Sequence, residues 1–284
     1  MKMAFRACRD KTSVLYSVLL NNAAIVREKG GQSDQAIRDF EQCAEIREKQ
    51  LSSDHEELAN VYNNLSMPLM SKRRFDESEG LLRRAPKIDS SKDETSQLKI
   101  LHTRYMNLGC LYALMGRFDE SRVETEKGRQ YVLRQFGDNS YYIATCERYT
   151  EYVDYKQGFI DQARQKYTRA YSILSNIYLV HSTISSTLYM LGCVENEAGN
   201  IAASIGWLEK TVHMAKRNVP GRKDEGEVAR ASRKLSDALR LAGRVEEADR
   251  MHCEAEDTRT RLQGAGMEDT EQNYDLLVPA QFRT

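Results

Sequence analysis

Gly116-Arg117-Phe118-Asp119-Glu120-Ser121 spells a corner between two helices in six residues. A glycine after the last turn of a helix takes the left-handed conformation without a Cβ clash. Two acids at the start of the next helix favour its free N–H groups and its dipole. The small residue lets the two antiparallel helices approach closely, and the aromatic between glycine and acids plugs the corner. The phrase returns at Gly158-Phe159-Ile160-Asp161-Gln162-Ala163 and at Gly243-Arg244-Val245-Glu246-Glu247-Ala248. Weaker copies are Gly31-Gln32-Ser33-Asp34-Gln35-Ala36, Arg73-Arg74-Phe75-Asp76-Glu77-Ser78 and Gly199-Asn200-Ile201-Ala202-Ala203-Ser204. The small residues fall at 36, 78, 121, 163, 204 and 248, a nearly constant step. A fixed step of this size means a repeat array. Each unit is a helical hairpin that buries its apolar face only by stacking on its neighbours.

Composition narrows the class of partner. The 284 residues carry 42 Lys plus Arg against 42 Asp plus Glu, so the formal net charge is zero. A general nucleic-acid or membrane surface would leave a basic excess. The six cysteines, at 8, 43, 110, 146, 193 and 253, form no C-x-x-C pair. They read as reduced, small hydrophobes and point to a cytoplasmic protein. Residues 1–9 have no apolar signal core, and no stretch approaches the roughly 18 apolar residues of a membrane span.

Taken in order, residues 1–12 are a lead-in, residues 13–262 the array and residues 263–284 an acidic tail. Met3, Ala4, Phe5 and Cys8 are placed to cap the open end of the first hairpin. In its first helix Val14, Leu15, Val18, Leu19, Ala23 and Val26 follow helical spacing, and Gly30-Gly31 ends it. Its second helix turns Ala36, Ile37, Phe40, Cys43, Ala44 and Ile46 inward. Pro68 inside a first helix predicts a kink, and Pro86 predicts an early end to the following helix, with a polar connection over 87–94. Arg73 stands where the phrase has glycine, so either that helix lacks the usual cap or Arg73 carries the strain. Pro220-Gly221 reads as a turn. The tail is expected to be disordered, or to dock as a strip.

Asp54-His55-Glu56-Glu57-Leu58-Ala59-Asn60-Val61-Tyr62-Asn63-Asn64-Leu65 supports a more specific reading. With its Asn-Asn-Leu phrase and the aromatic-acid-acid turn downstream, it resembles a tetratricopeptide repeat of the longer, kinesin-light-chain-like type. The resemblance extends over about residues 13–260. It implies an all-α, right-handed superhelical solenoid of about six helix-turn-helix repeats. The tail is also similar to those of fungal tetratricopeptide proteins. The fold hosts many tasks, so function has to be argued from particular residues.

Catalytic signatures are missing. Gly221-Arg222-Lys223-Asp224-Glu225-Gly226 lacks the Lys-Ser/Thr ending of a phosphate loop. No second histidine follows His55 at zinc spacing, and the five histidines are scattered, which favours structural roles. No Gly-x-Ser-x-Gly elbow occurs. The expectation is a protein that is not an enzyme and uses no cofactor or metal.

In the resembled family the first helices of successive hairpins line a concave groove, and three constellations fall on that face. Asn22, Asn64 and Asn107 form a ladder at matching places, with Asn21 and Asn63 beside two of them. An amide both donates and accepts, so such a row suits an extended peptide backbone; the alternative is that it bonds a neighbouring helix. Arg148, Tyr149, Tyr152 and Tyr155 make an aromatic stripe, with Glu147, Glu151 and Asp154 at places that are apolar in the family. Either the tyrosines are core, or the groove is aromatic here and the acids pair with adjoining helices. Aromatics with arginine are typical binding anchors. Arg230, Arg233, Lys234 and Arg240 share one face of the last hairpin, which is either solvated, a docking site for an acidic peptide, or covered by the acidic tail.

These residues predict an adaptor or scaffold that binds a protein or peptide partner, with an acidic motif as the candidate, and no nucleic acid or membrane. Asn22, Asn64 and Asn107 would hold the peptide backbone. Tyr149 and Tyr152 would grip an apolar side chain, and Arg148, Arg230, Arg233 and Lys234 would favour acids. A different class is a regulatory or oligomerisation arm that packs on its own copies or on a partner's catalytic module. A third is a sensor that closes on a small molecule or signal peptide.

Overall fold

A computed structural model describes residues 10–29, 32–89, 94–217, 225–264, 266, 268–278 and 283. The described residues are all-α, with thirteen helices: twelve in consecutive pairs and a short last one. The chain divides after Gln135 into two compact units of three hairpins each. The first unit holds α1 (Val14–Lys29), α2 (Ser33–Gln50), α3 (Glu56–Ser71), α4 (Phe75–Asp89), α5 (Glu94–Leu114) and α6 (Phe118–Phe136). The second holds α7 (Tyr141–Lys156), α8 (Ile160–Ile177), α9 (Ser182–Glu197), α10 (Ile201–Arg217), α11 (Glu225–Leu241) and α12 (Val245–Gln263), then α13 (Glu271–Asp275). The expected lead-in segment 1–9, the Gly30-Gly31 stop and the Pro220-Gly221 turn lie outside the described residues.

One backbone device closes every described corner. The residue after the left-handed one donates its N–H five residues back. Arg117 N donates to Tyr112 O at 2.8 Å, Phe159 N to Asp154 O at 2.9 Å, and Arg244 N to Leu239 O at 2.9 Å. Gly116, Gly158, Gly199 and Gly243 supply the positive φ, at 74 to 82°. At the second corner Arg73 adopts φ 60° and closes the same bonds, with Arg74 N on Leu69 O at 2.9 Å. Of the two outcomes open for this position, the cap therefore forms and a side-chain-bearing residue bears its cost. A left-handed L-residue is disfavoured by roughly 1–2 kcal/mol.

The small residue of each phrase is fully buried at the helix crossing: Ala36, Ser78, Ser121, Ala163, Ser204 and Ala248. Where it is serine, its hydroxyl also ties the hairpin. Ser121 Oγ donates to Gly109 O and Ser204 Oγ to Gly192 O, both at 2.8 Å. Leu20, Phe40, Tyr62, Leu65 and Leu69 centre the largest core of the first unit. In the second unit Tyr167, Leu191, Val194, Leu208 and Leu235 do the same.

Two local expectations change. In α1 the buried side chains are Ser17, Leu20, Ala23 and Ala24, while Val14, Leu15, Val18 and Val26 are exposed. The reason is that α2 and α3 pack on a narrow face of α1, which leaves Leu15 and Val26 to its side. Pro86 does not end α4, which runs on to Asp89. The last turn is held from outside, because buried Asp89 Oδ2 accepts from Arg104 Nε of α5 at 2.8 Å. Pro68 lies inside α3, as its sequence position implies, and the helix continues to Ser71.

Two substitutions test this architecture by thermal melting. Arg73→Gly removes the left-handed penalty and should stabilise the first unit by about 0.5–1 kcal/mol, after the greater chain entropy of glycine is allowed for. Ala163→Leu should wedge α7 from α8 and destabilise the second unit by about 1–3 kcal/mol. An unchanged melting temperature in both variants would contradict the corner account.

Candidate functional site

The amide ladder exists in the first unit, one residue out of the register that spacing alone suggests. Asn64 Nδ2 donates to Asn21 Oδ1 at 3.1 Å, and Asn107 Nδ2 to Asn63 Oδ1 at 2.8 Å. A third rung is Arg104 NH2 to Asn60 Oδ1 at 2.5 Å. Asn22 is exposed, Asn64 half-buried and Asn107 buried. The rungs join first helices of adjoining hairpins, α1 to α3 and α3 to α5. An amide has two N–H donors and an acceptor, so half-exposed Asn64 keeps capacity beyond its rung.

In the second unit, the conflict on α7 resolves by face. The acids point toward α8. Asp154 Oδ2 accepts from Lys166 Nζ at 2.6 Å, and Glu147 pairs with Arg169. Glu151 is fully buried and neither of its oxygens has a hydrogen-bond partner. Burial drives its carboxyl far above the usual range, and Glu147 adds to the effect. The opposite side of α7 meets α9: Arg148 NH2 donates to Ser186 Oγ at 2.8 Å, and Tyr152 and Tyr155 pack half-buried on the α9 core. Arg148 and Tyr149 are buried, at 1% and 4% exposed, so they hold the interior together instead of lining an open surface. Tyr152 retains partial exposure.

The basic face of α11 is occupied by the chain's own tail. Lys234 Nζ donates to Glu271 Oε1 at 3.0 Å and Arg233 Nε to Asp269 Oδ1 at 3.3 Å. Arg230 NH1 stands 3.5 Å from Asp275 Oδ1. The Arg230 side chain is itself buried, held by Glu227 at 2.7 Å and laid over the Tyr189 ring at 4.0 Å. Arg240 pairs elsewhere, with Asp249 at 2.7 Å. Tyr274 of the tail is buried between Ala229 and Ala255, and its hydroxyl donates to Glu256 Oε2 at 3.0 Å. The Arg259 guanidinium, helped by that hydroxyl, holds Glu256 down to about 2. Of the two fates open for the tail, residues 268–278 therefore dock.

Two histidines, His55 and His181, cap first helices. His55 Nδ1 accepts from Glu57 N and His181 Nδ1 from Thr183 N, each at 3.2 Å. Burial, with Arg148 nearby, lowers the His181 pKa and favours the neutral ring that this bond needs. Among the described residues no group of three His, Cys, Asp or Glu side chains converges as a metal site would require. No described helix is long and apolar enough to cross a membrane.

Residues 15–91 match the tetratricopeptide repeat family. No curated protein matches the sequence. Several solved structures share the fold. The Rap conjugation gene regulator of the plasmid pLS20, in complex with the Phr* peptide, is 14% identical at a TM-score of 0.65, over 90% of this chain and 78% of that one. BtubC (BKLC) from P. vanneervenii is 15% identical at 0.62, over 84% of this chain and 93% of that one. The apo form of RapI is 12% identical at 0.59, over 87% and 99% respectively. At these identities the likeness is one of fold.

Glu151 makes the stability of the second unit depend on pH in a definite direction. Its folded-state pKa is raised, with Glu147 and Asp154 opposing ionisation and Arg148 and Lys166 favouring it. The stabilising contribution is thus complete below the ordinary carboxylate pKa of about 4.3, and is lost as pH rises through the raised value. Glu151→Gln should melt at a higher temperature than the parent at neutral and alkaline pH, with the gap closing in mild acid. A gap that widens in acid would refute the assignment.

Proposed function

We propose that the chain, whose residues 15–91 match the tetratricopeptide repeat family, is a non-enzymatic adaptor whose first-helix faces bind a peptide or linear motif. The observation that carries this reading is the tail itself. Arg233 and Lys234 of α11 already hold carboxylates of a short polypeptide segment laid across them. A face that takes Asp269 and Glu271 of the same chain has the chemistry to take an acidic motif from another. Charge-assisted bonds of this kind are stronger than neutral ones. In the first unit, Asn64 with exposed Asn22 and, beneath them, Asn107 offer amides suited to a peptide backbone, irrespective of its sequence. Tyr152 supplies an aromatic contact, while Arg148, Tyr149 and Arg230 support the face from within. The Phr* peptide bound by the pLS20 Rap regulator shows that a protein of this fold accepts such a ligand.

A second reading has one observation in its favour. Around the turn from α8 to α9, Ile177, Tyr178 and Leu179 are exposed, Leu179 at 92%, near the stacked pair Phe136 and Tyr142. Such a strip suits an arm that packs on its own copies. Solution mass that rises with concentration, and falls back on Leu179→Asp, would favour it.

The adaptor reading is tested by capture from native lysate with the full chain and with the variant Asn22→Ala, Asn64→Ala, Asn107→Ala. The expected result is a set of proteins lost by the variant while its helical circular dichroism is unchanged. Identical partner lists would remove the amides from the binding surface.

A further inference from the structure

We propose that the tail segment Asp269–Leu277 is an intramolecular ligand, seated on a docking surface whose outside partner is an acidic segment of the same design. The inference rests on the adaptor reading and adds the form of the ligand and the regulation of its site.

Four features distinguish this contact from a loose end folded back on the surface. The charges match in register, with Asp269, Glu271 and Asp275 against Arg233, Lys234 and Arg230. The aromatic of the segment, Tyr274, is 1% exposed and has its own hydrogen-bond partner in Glu256. The segment is shaped before it meets a partner: Thr270 Oγ1 accepts from Asn273 N at 3.3 Å and starts the one helical turn that sets Glu271 and Tyr274 on the seat. Finally, the seat is carved for backbone. Gly226 stands in the first turn of α11, and a Cβ there would lie 2.1 Å from the carbonyl oxygen of Leu277. Glycine is a poor helix former, so α11 accepts a local penalty at the point where the tail's main chain passes.

Together these features describe a recognition element: Asp-x-Glu-x-x-aromatic-Asp, with a short apolar run after it. A partner must present the same carboxylates and ring, and must displace the tail. Tethering gives the tail an effective concentration of about millimolar, so the site is closed to weak acidic peptides and opens to a segment of better fit.

The test uses the full chain and a fluorescent peptide with the sequence of residues 268–278. Asp269→Lys with Glu271→Lys turns the tail's charges against Arg233 and Lys234, both partly solvent-exposed, and leaves the seat intact. That variant should become sensitive to chymotrypsin after Tyr274 and should bind the peptide at least about tenfold more tightly than the parent. Adding Gly226→Ala should abolish the peptide binding while preserving or raising the melting temperature, because alanine suits the helix and the atoms nearest the new methyl all belong to Leu277 of the tail. Equal binding to parent and opened variant, no binding to either, an uncut Tyr274, or binding that survives Gly226→Ala would each overturn the proposal. None of these outcomes bears on the lysate experiment, which alters only amides of the first unit.

Discussion

The corner hydrogen bond, from the N–H after a left-handed residue to a carbonyl five residues back, is the constraint on which the rest depends. It ends one helix and aims the next across it, within a few residues. Glycine makes it without strain; at Arg73 the surrounding hairpin enforces it on a residue that resists. Once the corner is set, the buried small residue in the first turn of the next helix determines how closely the helices lie, and Ser121 and Ser204 add a side-chain tie to the facing backbone. A hairpin so defined still has an uncovered apolar face, and stacking follows.

Stacking is then aligned by polar contacts. Between hairpins of the first unit the links are Asn21 to Asn64, Asn63 to Asn107 and the buried pair Arg104 with Asp89. Within the fourth hairpin, Lys166 and Arg169 reach acids of α7. Buried ion pairs of this kind contribute little net stability, since desolvation offsets most of the attraction. Their effect here is to exclude slipped registers, because a shift of one residue would strand a charge. Glu151 is the exception that remains unpartnered, and its raised pKa is the physical consequence.

Burial differs between the two helices of a hairpin: Thr183–Glu195 of α9 is buried throughout, whereas α10 buries one face. The first helices thus carry much of the core, and α11 still presents basic side chains on one face. On α11 Arg233 and Lys234 stand side by side on a helix whose far side, through Ala231, Leu235 and Ala238, packs in the core. The tail uses the opening with ordinary chemistry: opposite charge, one buried ring and close main-chain approach at Gly226.

The repeat was legible in the sequence because everything it needs is local: glycine or its substitute, a plug, acids and a small residue, recurring at a nearly constant step. So were the inward residues of α2, from Ala36 to Ile46; that His55 and His181 cap helices was not. What only the tertiary structure decided are choices between neighbours. Spacing placed Asn22, Asn64 and Asn107 in one row, but the rungs run from Asn21 and Asn63, because adjoining helices are offset by about one residue. Pro86 reads as a stop until Arg104, from the next hairpin, is seen to hold the turn beyond it. The tyrosines and acids of α7 could not be assigned to faces without knowing where α8 and α9 lie. Nor does an acidic tail's composition reveal that it has a seat, since the glycine that admits it, Gly226, lies some fifty residues earlier in the chain. Local conformation is written in neighbouring residues; the pairing of faces depends on contacts between residues far apart in sequence, and only the fold brings those together.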